Sequence, residues 1–392
     1  MKKLVPWLIL GFGLRLILIP ITLHPDIRAV YLAADLINHR GQMFDFYDYL
    51  SRLPRDDKLI ISFGYDNFFI FIYPPLAYLT HALFNLFLSP LYPASAFQTL
   101  IYDIGRARLD SGLPLLLYLL KLPYLLADIF CFWLIYRLLP DKNKILGSLV
   151  WIFNPLVIYS AYMMGQFDIF IAAFLLLAVY FADKKPLLAA VTLGIGAGFK
   201  PFPLLLLFFL PGSKIKNIIA GLAAYLVILL PYLPSWGFRH YALFAAQSEK
   251  MFYAGIPVSG SQLLPLFAVV YSVFAWWNHF RPRDLPLWGW FLAVLLLFFS
   301  VTHFHPQWFT WATPLLTMSF ALLPKTRLPL LALLAGFIMI IFSFDQSLSF
   351  GLFGSNLRLL LPDDFISIVR GLFAGTAAVT VWQILRHESV PA

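Results

Sequence analysis

The chain has 392 residues, of which 61% are hydrophobic and only 12% are charged. A soluble domain carries about twice that charged fraction, and apolar runs of about 20 residues recur from end to end, so the sequence predicts a polytopic membrane protein. The net charge of +9 does not indicate a nucleic-acid partner, because the basic residues lie in short clusters between apolar runs. A single cysteine excludes a disulfide framework within the chain.

The N-terminal segment predicts a first membrane span that stays in the protein. Lys2 and Lys3 precede a long apolar stretch over 4–23, and no small-residue cleavage site follows it. We therefore expect an uncleaved span rather than a signal peptide, which is the alternative that a basic start and an apolar core leave open. Because Lys and Arg collect on the inner side of a membrane, the two lysines place the N-terminus inside.

Short basic loops fix the predicted orientation of the rest of the chain. The positive-inside rule places these loops and the C-terminus on the inner side. The loops are 141–144, 183–185, 212–216, 281–284 and 324–327. The intervening loops then face outside, at 165–168, 235–260, 302–307 and 345–364. The result is one all-α membrane domain over 1–392 with ten full crossings, at 4–23, 113–139, 145–163, 167–182, 217–234, 261–279, 285–304, 307–323, 328–344 and 365–385.

The segment 24–112 predicts a large external region rather than further spans. Its apolar part, 68–88, is long enough to cross, but a crossing there would invert every later basic loop. We therefore interpret 68–88 as a helix on the outer face and expect at least two surface helices in the region. External regions of this length usually carry binding or chemistry.

A lysine lies in the middle of an apolar segment between two inside loops. The segment 187–211 cannot cross twice, because each half would be only about 20 Å long against a hydrocarbon core of about 30 Å. Pro201 and Pro203 interrupt the helix directly after Lys200, so the sequence predicts two short helices that meet at Lys200 inside the membrane. Such a lysine needs an anionic partner or must snorkel to the interface. The partner is either a structural Asp or an anion that enters from outside.

Other polar residues are predicted on the outer face beside this break. Asp26 follows the first span at the start of a helical pattern, and Asp168 begins a helix on the same face; for each, a helix N-cap is the structural alternative. His303 and His305 form a pair just outside a span. Two ligands without a third do not predict a metal site, and imidazoles there suit hydrogen bonding to phosphate or sugar.

Charged residues also lie within the predicted spans. Lys121 and Asp128 are seven residues apart in one span and therefore share a helix face. Arg15 and Arg370 lie in two other spans. We interpret Lys121 and Asp128 as stabilising the bundle, and a structural role suits either arginine as well.

Together these groups favour an enzyme that acts on an anionic lipid at the outer face. A phosphate-linked donor requires cations for the leaving phosphate, which gains charge in the transition state. It also requires a base that takes the proton of the acceptor hydroxyl. Aromatic side chains, 18% of this chain, would bind sugar rings and isoprenoid.

The order of six short motifs resembles that of GT-C-type glycosyltransferases. The motifs are PDIRAVYLAADLI after the first span, YPPLAYLTH at 73–81, KLPYLLADIF at 121–130, GQFD at 165–168, GAGFKPFPLLLL at 196–207 and HFHPQWFTWATPLL at 303–316. The resemblance covers most of the chain, 24–316. It points to the enzymes that use a polyprenyl-phosphate sugar, among them the bacterial and archaeal mannosyltransferases and the dolichyl-phosphate-glucose glucosyltransferases of N-glycan assembly.

This resemblance implies an inverting transferase whose first external loop carries the catalytic carboxylate, which maps onto Asp26. The lysine that follows a short helix in the family maps onto Lys200, as a ligand of the donor phosphate. The histidine-bearing external loop of the family maps onto His303 and His305. We add Arg358, in the predicted external segment 345–364, to the donor-phosphate ligands.

The sugar- and acceptor-binding residues are predicted to be Gln166, Asp168, Tyr73 and Trp308. The glucosyltransferases of the family place a histidine and an amide around the GQFD position. Gln166 keeps the amide here, whereas Asp168 is acidic and departs from that pattern. We interpret this carboxylate as a second acceptor-binding group, and nothing in the sequence requires a cofactor or a metal ion.

We therefore expect a hexose, with mannose favoured, to move from a polyprenyl-phosphate donor to a lipid-linked or glycan acceptor on the external face. The partners are then the donor, the acceptor and membrane lipid, with no nucleic acid. The alternative is a transporter or flippase of an anionic lipid or lipid-linked sugar, which suits the intramembrane charges but not the one-sided placement of polar groups. The external loops contain no N-glycosylation sequon, which favours a prokaryotic cytoplasmic membrane.

Overall fold

Helices dominate the described chain, which confirms the predicted all-α class. The computed structural model describes residues 2–64, 69–243, 250–282, 284–343, 351–352, 355–356 and 361–386. Its α-helices are, in chain order, α1 (Val5–Ile21), α2 (Asp26–His39), α3 (Phe46–Tyr49), α4 (Lys58–Phe63), α5 (Leu76–Leu88), α6 (Ala94–Tyr102), α7 (Ile104–Ala107), α8 (Leu113–Leu138), α9 (Asp141–Ile152), α10 (Pro155–Val157), α11 (Asp168–Ala182), α12 (Pro186–Ala197), α13 (Lys214–Leu229), α14 (Leu266–Phe280), α15 (Leu287–Val301), α16 (Thr313–Leu322), α17 (Arg327–Ser343) and α18 (Asp363–Leu385).

Shorter helical pieces and two antiparallel hairpins connect these helices. The 3-10 segments are Lys2–Leu4, Leu50–Arg52, Ser89–Leu91, Phe202–Phe209, Leu230–Tyr232, Pro306–Trp311 and Pro324–Thr326. The π-helical turns are Ile158–Met164 and Phe238–Leu243. Strand β1 (Gly255–Ser259) pairs with β2 (Gln262–Pro265), and β3 (Gly351–Leu352) pairs with β4 (Ser355–Asn356).

Six helical segments of the described chain are long and apolar enough to cross a membrane. They are Lys2–Ile21, Leu113–Leu138, Asp141–Met164, Lys214–Tyr232, Pro324–Ile341 and Asp363–Leu385. This confirms a multi-pass membrane protein. Four of the ten predicted crossings instead contain the short helices α11, α14, α15 and α16, of 15, 15, 15 and 10 residues. At 1.5 Å per residue even 15 residues reach only about 22 Å, so ten full spans remain a prediction.

Two predicted spans differ in their helical course. The segment 261–279 begins as strand β2, and its helix starts only after Pro265. A short apolar run is compatible with strand or helix, which is why its start was predicted wrongly. In 145–163, α9 ends at Ile152, Asn154 caps the one-turn helix α10, and a π-helical turn follows.

The two segments that interrupt the predicted alternation of crossings fold into short helices. Within 68–88, α5 has 13 residues and is about 20 Å long, which is too short to span. Within 187–211, α12 has 12 residues and ends at Ala197. The 3-10 segment Phe202–Phe209 follows it, so Lys200 lies between two short helical pieces.

Buried charges fix the C-terminal half of α1, which precedes the predicted external segment 24–112. Arg15 Nε donates to Asp128 Oδ2 of α8 at 2.7 Å, and the same carboxylate accepts from Trp151 and Tyr162. Lys121 donates to the carbonyl oxygens of Ile19, Thr22 and Tyr162. Lys121 and Asp128 thus share a helix but bind different partners, and both stabilise the bundle.

Close helix packing brings Lys200 beside the start of α11. Helix α12 packs against α11 and α13. A Cβ atom added at Gly194 of α12 would lie 2.1 Å from the carbonyl oxygen of Gly221 of α13, an approach that only small residues permit. The chain that leaves α12 therefore passes next to Asp168, the first residue of α11, and Lys200 contacts that carboxylate.

Candidate functional site

Lys200 lies in the non-helical break after α12, and a backbone hydrogen bond ties this break to α5. The carbonyl oxygen of Gly198 accepts a hydrogen bond at 3.0 Å from the backbone N–H of Leu76, the first residue of α5. A Cβ at Gly198 would lie 2.7 Å from the Leu76 side chain. Pro201 and Pro203 offer no N–H and prevent the α-helix from continuing. The break therefore has a fixed course beneath α5.

The Lys200 ammonium group is buried between a carboxylate and four aromatic rings. Its Nζ donates to Asp168 Oδ1 at 2.6 Å, and its side chain is 4% exposed. The ring centroids within 5.4 Å of Nζ belong to Tyr73, Phe167, Trp308 and Trp311. Lys200 thus has a structural Asp as its partner in the folded chain, and the aromatic faces add cation–π attraction.

Asp168 is the buried acidic centre of this site. Its Oδ1 accepts from both Lys200 and the Trp311 indole N–H, each at 2.6 Å. Its Oδ2 is buried and has no hydrogen-bond partner among the described residues. The N-cap position of α11 belongs to Phe167, and no side chain caps that helix. The helix-cap alternative for Asp168 is therefore wrong.

Asp26 presents a half-exposed carboxylate at the start of α2. Its Oδ2 accepts a hydrogen bond from Gln166 Nε2 at 2.5 Å, and 42% of its side chain is exposed. The imidazole of His24 lies 3.7 Å from Oδ1. Pro25 occupies the N-cap position and no side chain caps the helix, so the cap alternative is wrong for Asp26 as well.

The backbone at Gly165 places Gln166 against Asp26. Gly165 ends the π-helical turn Ile158–Met164 with φ +68°, in the left-handed region that favours glycine. A Cβ there would approach Ile27 at 3.2 Å and Lys121 at 3.4 Å. The N–H of Gln166 then donates to the carbonyl oxygen of Ser160. π-helical turns of this kind are frequent at functional sites.

The carboxylates of Asp26 and Asp168 both act on the Tyr73 hydroxyl. Burial, and then the charges of Asp26 and Asp168, raise the pKa of the Tyr73 hydroxyl well above its ordinary value. Tyr73 therefore remains a neutral hydrogen-bond donor. Asp26 and Lys200 bind different partners, Gln166 and Asp168, which are two residues apart in the chain.

The two histidines lie on the aromatic edge of the same site. The His303 ring stacks on Tyr253 at 5.5 Å, and the His305 ring lies 5.3 Å from that of Trp308. Burial lowers the pKa of His303, and the positive charges of Lys250 and Arg370 lower it further. Within the described ranges no three His, Cys, Asp or Glu side chains are grouped as metal ligands.

Lys250 is a site residue that the sequence analysis missed. Its Nζ lies 4.6 Å from the centroid of the Trp308 ring, which is also 5.0 Å from Lys200 Nζ. Burial and, to a lesser degree, the charge of Lys200 lower the pKa of Lys250 to about 8. In the sequence, Lys250 is the one lysine of the predicted external segment 235–260. Nothing in the sequence indicates which loop it would contact.

The structure brings most of the predicted site residues into one neighbourhood. Asp26 contacts Gln166, Lys200 contacts Asp168, and Tyr73 and Trp308 flank the lysine. His303 and His305 adjoin through Trp308 and Tyr253. Arg358 lies outside the described residues. No family model matches the chain, and no curated protein and no solved structure matches it either.

This arrangement separates two kinds of chemistry. The Asp26 carboxylate is accessible, ionisable and oriented by an amide, as a general base must be. Lys200, Lys250 and the Trp308 indole N–H, which is buried without a partner among the described residues, can donate to an anion. The half-exposed Asp26 carboxylate and these donors thus lie in one neighbourhood, which suits a reaction between a hydroxyl and an anionic group.

Proposed function

We propose that this chain is an inverting glycosyltransferase that resembles the GT-C enzymes and uses a polyprenyl-phosphate sugar. It moves a hexose, with mannose favoured, to a lipid-linked or glycan acceptor. The observation that carries the proposal is the relation between Asp26 and Lys200. Asp26 is bound to Gln166 and Lys200 to Asp168, and these two partners are only two residues apart in the chain. A base and a phosphate ligand must flank the anomeric carbon in this way without neutralising each other.

The proposed reaction is a single displacement at the anomeric carbon. Asp26 accepts the proton of the acceptor hydroxyl as its oxygen forms the new bond to that carbon. The bond between the anomeric carbon and the phosphate oxygen breaks with its electron pair on the phosphate. The leaving group changes from a phosphodiester to a phosphomonoester and gains one negative charge, which Lys200 stabilises.

Asp168 has a different role in this proposal from the acceptor binding that its sequence position suggested. It is wholly buried and holds Lys200 at 2.6 Å. A buried lysine without a counter-charge is costly to keep protonated, so Asp168 keeps the ammonium charged. Asp168 uses one N–H of Lys200, and the proposal assigns the other two N–H groups to a phosphate oxygen.

Tyr73 and Gln166 position groups in the proposed mechanism. Tyr73 stays protonated near both carboxylates and can donate to a sugar or phosphate oxygen. Gln166 is 2% exposed and holds the Asp26 carboxylate in one orientation. The proposal assigns binding of the sugar ring to the aromatic side chains of this site, including Trp308.

The proposed location is the outer face of a prokaryotic cytoplasmic membrane, with both termini inside. The six helices of spanning length support a multi-pass protein, and the short basic loops support the orientation. The partners are the donor, a glycolipid or lipid-linked glycan acceptor, and membrane lipid.

The test is a screen of the purified protein in detergent against a panel of lipid-phosphate sugars labelled in the sugar, with membrane lipid extract as acceptor. The proposal predicts a labelled product that carries a new glycosidic bond with inverted anomeric configuration. Binding of the labelled donor without any new glycosidic bond, across the panel, would instead favour the transporter or flippase.

A further inference from the structure

Two lysines share one tryptophan in this site, but only one of them has a carboxylate partner. Lys200 and Lys250 both have Nζ within 5.0 Å of the Trp308 ring centroid. Lys200 pairs with Asp168, whereas no described carboxylate forms an ion pair with Lys250. The ammonium charges of Lys200 and Lys250 repel each other. Binding of a further anion here would therefore be favourable.

Among the described residues, the other charged groups around Lys250 do not supply that anion. His303, from the loop after α15, is near enough for Lys250 and Arg370 of α18 to lower its pKa. These neighbours are therefore neutral or positive. The Trp308 indole N–H is buried and has no hydrogen-bond partner within the described ranges, which leaves a donor beside the two ammonium groups. A phosphate offers enough oxygens to accept from all three donors.

The chain directly after Lys250 is apolar and exposed. Phe252 and Tyr253 are exposed, and the hairpin β1–β2 carries exposed Ile256, Val258 and Leu263. The N–H of Leu266, the first residue of α14, donates to the carbonyl oxygen of Ala254 at 2.9 Å, which ties this ribbon to a helix. A cation followed by an apolar ribbon matches a molecule that has a phosphate head and a hydrocarbon tail.

We propose that Lys250 is a second ligand of the donor phosphate, and that the apolar ribbon β1–β2 contacts the lipid tail attached to it. This inference rests on the proposed function for the identity of the donor, and it names the ligand as a lipid-linked phosphate rather than a soluble one. Lys200 binds the phosphate from the buried break, and Lys250 binds it from the segment that precedes the ribbon.

The proposal predicts a pH limit on binding. The pKa of Lys250 lies near 8, so the ammonium is protonated below that pH and loses its charge as the pH rises above it. Affinity for the phosphate should therefore fall as the pH rises through 8. His303 is neutral over this range because its pKa is lowered. Dodecyl phosphate, the probe used below, is a monoester like the leaving group and is already a dianion there, since the second pKa of a phosphate monoester is about 6.

The experiment is calorimetric titration of the purified protein in detergent with dodecyl phosphate, at pH values below and above 8. Losing a charge-assisted hydrogen bond should weaken binding by Lys250→Gln about 10- to 100-fold at the lower pH. Lys250→Arg should keep the affinity and remove the decline at higher pH, because its charge does not titrate. The control Lys184→Gln changes an exposed lysine of the inside loop and should bind as the unchanged protein does.

Two results would overturn the proposal. One is unchanged affinity for dodecyl phosphate in Lys250→Gln, which would show that Lys250 does not bind the phosphate. The other is equal affinity for inorganic phosphate and dodecyl phosphate, which would show that the ribbon β1–β2 does not bind the lipid tail. Neither readout involves sugar transfer, so a protein that binds through Lys250 but forms no glycosidic bond would contradict the proposed function while leaving the phosphate site in place.

Discussion

Lys200 and Asp168 form a buried ion pair of 2.6 Å. The lysine side chain is 4% exposed and the aspartate 0%, and Trp311 donates to the same carboxylate oxygen. Such a pair contributes little net stability, but removal of one partner leaves a buried charge without compensation. The pair therefore links folding to function, because the carboxylate maintains the charge that the proposed phosphate site requires.

The ion pair gives a prediction on stability. Asp168→Asn should lower the free energy of unfolding by about 3–5 kcal/mol, because it leaves Lys200 buried and uncompensated. The double variant Lys200→Met with Asp168→Leu removes both charges and should recover most of that loss. Thermal unfolding in detergent measures both. A double variant as unstable as Asp168→Asn alone would show that the destabilisation does not come from the uncompensated lysine.

The phosphate role of Lys200 gives a prediction on activity. Lys200→Ala should weaken donor binding and slow transfer by about 10²–10³, the usual cost of losing one preorganised electrostatic partner. Lys200→Arg should not restore the rate, since a planar guanidinium does not fit a site shaped around an ammonium. Single-turnover transfer and donor titration separate the two effects. Unchanged rate and affinity in Lys200→Ala would make the lysine purely structural.

Gly165 gives a prediction that joins backbone geometry to the catalytic carboxylate. Gly165→Ala places a Cβ at φ +68° and within 3.2 Å of Ile27, and a left-handed conformation costs about 1–2 kcal/mol. Because Gln166 follows directly and orients Asp26, transfer should slow by more than the fraction of unfolded protein explains. Transfer rate per folded molecule is the measurement.

Gly13 provides the matched control for this substitution. It lies in α1, and a Cβ there would meet nothing within 4 Å. Gly13→Ala should leave transfer unchanged. An equal effect of both alanines on the rate would mean that Gly165 does not act through Gln166.

The sequence was sufficient to predict the features that depend on local composition. Apolar runs predicted a helical multi-pass bundle, and the helical pattern after the first span placed Asp26 at the start of α2. Prolines at 201 and 203 predicted that a regular helix would not pass through Lys200, and the structure has a break there between α12 and a 3-10 segment.

Partner choice could not be predicted, because it depends on packing between distant segments. The sequence left open whether Lys200 binds a structural Asp, and its partner Asp168 lies 32 residues away. Trp311, which fixes the same carboxylate, is 143 residues from it. Lys250 contacts Trp308 through packing between loops, which the hydrophobic periodicity of the sequence does not reveal. The number of spans also depends on how short helices such as α15 are arranged, which length and hydropathy do not determine.

The most direct test of the account is the rate of sugar transfer by Asp26→Asn. Asparagine preserves the size of the side chain and an oxygen that can accept from Gln166, but it cannot act as the base. The account predicts a folded protein that binds the donor normally and transfers about 10²–10⁴ more slowly. A folded Asp26→Asn variant that transfers at the full rate, while Asp168→Asn is folded and inactive, would contradict the assignment of the base to Asp26.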